Sequence, residues 1–266
     1  MNKILAFALL VSLVACKNND PKVDPPNPDA PQLMSYSIIT TFPHDTSAYT
    51  EGLLVYKGEL YESAGNYGSS KLKKLDIKTG KSVQEVSLDK KYFGEGISII
   101  NDTVYQLTYK EKTVFVYSLK DLKKIKEFTV DIEGWGMTTD GKQLIVSVGG
   151  TSELNFYDPA TFKLLKTQTV TESGSPIADI NELEWVNGSI YANQYGLPYV
   201  LKIDPNSGKV LAKADLTKEW DKVKRMRPGV NSMDIVPNGI AYDSATKKFY
   251  ITGKWWPELY EVQFSQ

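Results

Sequence analysis

A short motif recurs along this chain and constrains its fold more than any other feature. It consists of an acidic residue, Asn or Trp, then Gly, then Leu, Ile or Met. It appears as Glu51-Gly52-Leu53, Glu95-Gly96-Ile97, Trp135-Gly136-Met137 and Asn238-Gly239-Ile240, and Asn181-Glu182-Leu183-Glu184-Trp185 fills the remaining gap as a relative of it. Successive copies lie roughly 40 to 46 residues apart, and a longer last interval of about 57 holds an insertion around Trp220 to Val236. After each of the first four copies in chain order, the one at Asn181 included, comes a run suited to a strand: Glu59-Leu60-Tyr61, Thr103-Val104-Tyr105, Gln143-Leu144-Ile145 and Ser189-Ile190-Tyr191. A further strand then ends at Leu75-Asp76, Val116-Tyr117, Tyr157-Asp158 or Ile203-Asp204. Turn signals such as Asn101-Asp102, Asp140-Gly141 and Asn187-Gly188 separate the runs, and no long amphipathic helix interrupts them.

A four-strand unit repeated on this period predicts an all-β chain folded as a five-bladed β-propeller, with six blades or a pair of sandwiches as the alternatives. The last unit has only about three strands before Gln266. Tyr36 to Thr41 forms a free N-terminal strand that would complete it and close the ring, removing an exposed sheet edge. If each motif opens the innermost strand of a blade, the five motifs converge on one end of the central channel. Tyr49, Glu51, Phe93, Glu95, Trp135, Asn181, Glu182 and Asn238 would then share one rim, a concave polar and aromatic site.

Composition narrows the chemistry of such a site. Lys and Arg total 31 against 32 Asp and Glu, so there is no basic excess to neutralise a nucleic-acid backbone. The chain has one His and one Cys, which excludes a disulfide framework and a zinc site of several His or Cys ligands. No phosphate-binding Gly loop is present and no cofactor is implied, although a structural calcium held by carbonyls and Asp is compatible with the sequence. His44, between Pro43 and Asp45, reads as structural.

The single cysteine has its own context. A basic start, Met1-Asn2-Lys3, precedes an apolar run from Ile4 to Val14 that ends in Leu13-Val14-Ala15-Cys16. The run is too short to span a bilayer but has the length of a signal-peptide core. Residues 1–15 are expected to be a bacterial lipoprotein leader and Cys16 the lipidated first residue, with an ordinary signal peptide as the alternative. Lys17 to Gln32 is polar and Pro-rich and reads as an extended tether. The folded body of residues 33–266 is then a monomer held at the cell envelope. Lys17 after the cysteine, in place of an Asp, points to the outer membrane.

Eight stretches in one order carry a resemblance across the body. They are FPHDTSAYTEGL (42–53), ESAGNYGSSKLKK (62–74), FGEGIS (93–98), YQLTYKEKTVFVY (105–117), EGWGMTTDG (133–141), NELEWVNGSIYANQY (181–195), NGIAYD (238–243) and TGKWWPELYEV (252–262). Together they resemble the glutamine cyclotransferase family, the plant and bacterial type of glutaminyl-peptide cyclase, which folds as a five-bladed propeller. The resemblance implies conversion of the N-terminal glutamine of a peptide to pyroglutamate with loss of ammonia. It implies Glu95 as the acid/base residue, with Asn181 and Lys254 beside it, and Tyr49, Phe93, Tyr109, Trp135 and Tyr195 as the pocket wall. Tyr109 and Tyr195 stand where the family usually has Trp, and Glu51 where it usually has Gln.

The chemistry gives these residue types plausible work. The α-amine must lose a proton to attack, the departing amide nitrogen must gain one, and a single carboxyl can serve both steps. Aromatic walls exclude water and hold the substrate folded on itself, and they can receive its amine by cation–π contact. An ammonium at Lys254 suits a developing oxyanion, or lowers the pKa of Glu95. A second carboxylate at Glu51 would raise the pKa of one of the two acids. Asn238 reads as a turn residue. Two other functions fit the same residues: a silent propeller that binds peptides, and a glycoside hydrolase or lyase using Glu51 and Glu95 as a carboxylate pair.

Overall fold

The computed structural model describes Asn27 and residues 29–265 of the chain. The expected leader, Cys16 and most of the expected tether lie outside these residues. The chain forms five antiparallel sheets arranged as propeller blades. Blade one comprises Tyr49–Tyr56, Glu59–Gly65, Lys71–Asp76 and Lys81–Ser87; blade two comprises Gly94–Ile100, Thr103–Thr108, Thr113–Ser118 and Lys124–Thr129. Blade three is built from Gly134–Thr139, Leu144–Val148, Glu153–Tyr157 and Leu164–Thr169, and blade four from Ile180–Val186, Ser189–Gln194, Tyr199–Ile203 and Val210–Asp215. Blade five takes Pro237–Asp243, Lys248–Gly253 and Glu258–Phe264 from the C-terminal end and Tyr36–Pro43 from the N-terminal end. The N-terminal strand pairs antiparallel with Glu258–Phe264 and closes the ring, as the short last repeat predicts. Just before it, Gln32–Leu33 lies parallel to Val210–Asp215 on the outer edge of blade four.

The turns follow from local chemistry. The first two strands of blades one, two and four are joined by Lys57-Gly58, Asn101-Asp102 and Asn187-Gly188, and all six residues have positive φ. That conformation matches the right-handed twist of the flanking strands and explains the Asn, Asp and Gly found there. Apolar side chains alternate on the inner three strands of each blade and fill the five seams between blades. Ile97 and Phe115, for example, pack between blades one and two, and Ile240 and Trp256 between four and five.

The repeated motif has a geometric cause. The first strand of every blade packs against the first strands of its neighbours around the channel. A Cβ on Gly136 would lie 2.1 Å from the carbonyl oxygen of Asn181, and one on Gly96 would lie 2.5 Å from that of Trp135. Only glycine allows the inner backbones this close. At the same place in all five blades the pairing of first and second strands shifts register, between Thr50 and Gly52, Gly94 and Ile97, Gly134 and Met137, Ile180 and Leu183, and Pro237 and Ile240. These bulges turn the residue before each glycine out of the sheet.

The structure adds one detail and corrects one expectation. The long last interval contains a helix, Thr217–Met226, followed by a 3-10 turn, Ser232–Asp234. At ten residues the helix is too short for its periodicity to stand out, and it buries little beyond Val223 and Glu219. The Tyr36 hydroxyl donates to Glu219 and ties the closing strand to it. Glu182 is not on the rim. It occupies the glycine position of its repeat, and its side chain lies fully buried in the channel, accepting the backbone N–H groups of Leu53 at 3.1 Å and Ile240 at 2.8 Å. One carboxyl thereby links the inner strands of blades one and five to blade four. Burial, reinforced by the nearby Glu184, pushes it well above the usual carboxylate range.

Candidate active site

The bulged position preceding the glycine carries Glu51, Glu95, Trp135, Asn181 and Asn238 in blades one to five. The first four line a cavity of about 250 Å³ at one end of the channel, together with Tyr49, Asn66, Phe93, Tyr109, Tyr195 and Lys254. Nine residues singled out from the sequence therefore converge there, whereas Glu182 and Asn238 of the expected rim do not line the cavity. Tyr109, Tyr195 and Lys254 follow the second strands of blades two, four and five, where their backbone N–H groups bond the carbonyls of Phe93, Asp179 and Val236.

The half-buried rings form two stretches of wall, Tyr49–Phe93–Tyr109 and Trp135–Tyr195. Tyr49 and Phe93 meet edge to face with centroids 6.1 Å apart, Phe93 and Tyr109 are 5.9 Å apart, and Trp135 and Tyr195 are 5.7 Å apart. The Lys254 Nζ lies 4.4 Å from the Tyr49 centroid and 5.5 Å from that of Tyr195, between two π faces. It donates to Glu51 Oε1 at 2.5 Å, and both side chains are almost wholly buried.

Glu51 is held from a second side. Asn238 Nδ2 donates to Glu51 Oε2 at 3.2 Å and to the Thr50 carbonyl at 2.8 Å. Asn238 thus holds the second carboxylate in place from within the inner strand of blade five and does not act as a turn residue. Glu95 is only 5% exposed. Among the described residues none hydrogen-bonds its carboxyl, and no cation pairs with it. Burial raises both carboxyls. In Glu51 the Lys254 ammonium opposes that push, whereas in Glu95 the negative Glu51 adds to it. Of the two, Glu95 is pushed further toward its protonated form. Asn181, 2% exposed, keeps its Oδ1 without a partner among the described residues.

A family model described as glutamine cyclotransferase matches residues 5–264. The chain belongs to the glutamine cyclotransferase family. It is 37% identical over 238 residues to an Arabidopsis thaliana protein named glutaminyl-peptide cyclotransferase, a match covering 88% of this chain and 73% of that one. The crystal structure of Myxococcus xanthus glutaminyl cyclase superposes with a TM-score of 0.82 at 33% identity, covering 88% of this chain and 98% of the other.

Within this glutamine cyclotransferase cavity, Tyr109 extends the aromatic wall from Phe93 and Tyr195 extends it from Trp135. Their hydroxyls add polarity where an indole would add area. Sequence reading missed Asn66, which lines the cavity from the loop after the second strand of blade one. It also missed the link from Asn238 to Glu51. Asn66 lies inside one of the eight matched stretches, so the signal was present but not tied to a repeat position. His44 lies in the seam between blades five and one, where its ring nitrogens face the Trp256 carbonyl and Glu62.

Proposed function

We propose that this chain is a glutaminyl-peptide cyclotransferase that closes the N-terminal glutamine of peptides to pyroglutamate and releases ammonia. The observation that carries the reading is the Glu95 carboxyl, which is buried, lines the aromatic cavity and is hydrogen-bonded by none of the described residues. A protonated carboxyl there donates to the departing amide nitrogen, and the resulting carboxylate takes the proton from the amine that has attacked. One C–N bond forms, one breaks, and Glu95 ends as it began. Asn181 Oδ1 is an acceptor for a substrate N–H. Lys254 spends one N–H on Glu51 and keeps two for the amide oxygen as it becomes anionic. The rings hold amine and carbonyl together in a space from which water is largely excluded. These transfers use side chains alone.

The lipid anchor belongs to the same proposal. Its support is the apolar run ending at Cys16, and metabolic labelling with a fatty acid, lost in Cys16→Ser, tests it.

The activity is tested by incubating the chain with a Gln-Ala dipeptide amide and following ammonia, with Glu95→Gln in parallel. Release by the parent and a loss of about 10² to 10⁴ in kcat in the variant is expected. Full activity in Glu95→Gln would move the proton shuttle elsewhere. A folded parent that binds peptides without releasing ammonia would leave a binding module.

A further inference from the structure

We propose that Glu133 and Asp179 form a cation-binding rim that selects peptides with Lys or Arg directly after the N-terminal glutamine. The proposal rests on the cyclase reading above and names the class of substrate the same cavity prefers.

The repeat places these two carboxylates. Tyr49, Phe93, Glu133, Asp179 and Val236 each stand three residues before the motif glycine or its substitute. The equivalence is physical as well as numerical. The backbone N–H following the second strand bonds the carbonyl of this residue in four blades: Tyr109 to Phe93 at 3.0 Å, Gly149 to Glu133 at 2.8 Å, Tyr195 to Asp179 at 2.8 Å and Lys254 to Val236 at 3.0 Å. In blades one and two the position supplies rings that line the cavity. In blades three and four it supplies partly exposed carboxylates beside Trp135 and Asn181.

No protein cation answers them. Among the described residues, neither Glu133 nor Asp179 has an ion-pair partner, and Glu111, which accepts the Phe93 N–H at 3.2 Å nearby, has none either. Lys254 is taken by Glu51, Lys112 by Asp131 at 2.7 Å, and Lys110 lies over the Tyr109 ring. The negative charge of Glu133 reaches the centre of the site, adding to the upward push on Glu95.

A second feature on the same side points to a ligand. Asn181 opens blade four, its Oδ1 is buried and unpartnered, and it lines the cavity. Glu133 and Asp179 each stand two residues before a cavity-lining residue, Trp135 and Asn181, so a peptide donating an N–H to that oxygen lies beside the two blades that carry both carboxylates. A cationic side chain there meets two carboxylates, and an acidic one is repelled.

The test compares Gln-Lys, Gln-Ala and Gln-Glu as C-terminal amides, in the parent and in the Glu133→Gln/Asp179→Asn double variant. At low ionic strength the parent should favour Gln-Lys over Gln-Glu by about tenfold in kcat/KM, shrinking to about threefold or less at about 0.5 M salt. The same contraction at low salt is expected in the double variant. Equal kcat/KM for the three peptides in the parent, or an unchanged ratio in the double variant, would overturn the rim. Calorimetric affinities for the same peptides separate the two readings: if no peptide releases ammonia, the cyclase reading fails, and the order of affinities still decides the rim.

Discussion

Lys254 Nζ lies 2.5 Å from the Glu51 carboxylate and forms no ion pair with Glu95. The ammonium that lines the cavity is thereby paired with a residue that stands where the family usually carries an uncharged amide. Two consequences follow. The positive charge available to an oxyanion is partly neutralised, and Glu95 is left beside a net negative neighbour in a buried setting, which favours its protonated form.

Replacing Glu51 with Gln should therefore move the limb of the pH–rate profile governed by Glu95 to lower pH. Burial still raises Glu95 in the variant. The like charge is gone, however, and Lys254 is released to face it, and both changes favour the ionised form. The profile of kcat against pH, taken with a peptide whose amine titrates identically in both enzymes, reads the shift directly. An unmoved limb would show that Glu51 does not set the proton affinity of Glu95.

Asn238 sits behind this pair and acts through it. Asn238→Ala removes the donor to the Thr50 carbonyl and to Glu51 Oε2, both buried. Leaving buried acceptors unmet costs about 1–3 kcal/mol, readable as a lower urea midpoint. If Asn238 also positions Glu51, the variant's pH profile should shift in addition to its midpoint. A midpoint that falls with an unaltered profile would confine Asn238 to a structural role.

The fold was legible because the chain repeats itself, and the repeat exists because inner strands approach too closely for any side chain at Gly52, Gly96 and Gly136. The candidate site was legible for the same reason: Glu51, Glu95, Trp135 and Asn181 occupy one repeat position. What sequence could not convey was direction. A bulge sends Asn181 to the mouth and Glu182, one residue on, into the channel, where two backbone N–H groups receive it. Nor could sequence reveal that Asn238 and Lys254, from the last blade, both close on Glu51 from the first. That contact exists only after the ring has closed, between residues about 200 apart. The helix Thr217–Met226 was hidden by its brevity.

Gly136→Ala tests the close approach itself. The added methyl would meet the Asn181 carbonyl oxygen at 2.1 Å and the Glu182 Cα at 2.7 Å. These are backbone atoms, so blade four has to move away from blade three. Overpacking of this kind costs about 1–3 kcal/mol or more. Because the displaced residue is Asn181, KM for a glutaminyl peptide should rise along with the loss of stability. A variant as stable as the parent would mean that the inner strands have more freedom than their spacing implies.

His44 makes the seam between blades five and one sensitive to pH. Its Nδ1 donates to the Trp256 carbonyl at 2.8 Å and its Nε2 to Glu62 Oε1 at 2.9 Å, so both nitrogens face acceptors and the ring is held charged. Burial opposes that charge, but the Glu62 carboxylate outweighs it and holds His44 above its ordinary 6.5. Burial likewise opposes ionisation of Glu62, yet His44, Lys73 and Thr50 bring it down to about 2. A raised folded value for His44 means that its contribution to stability is complete below about pH 6.5 and is lost as pH rises through that folded value. The depressed value of Glu62 places its contribution above about pH 4.5, with loss as pH falls toward 2. Between these limits the clasp is intact. The urea midpoint of the parent should therefore fall from about pH 6 to pH 9 by more than that of His44→Gln, which has no ring to titrate. Parallel curves for parent and variant would show that the His44–Glu62 pair carries no pH-linked stability.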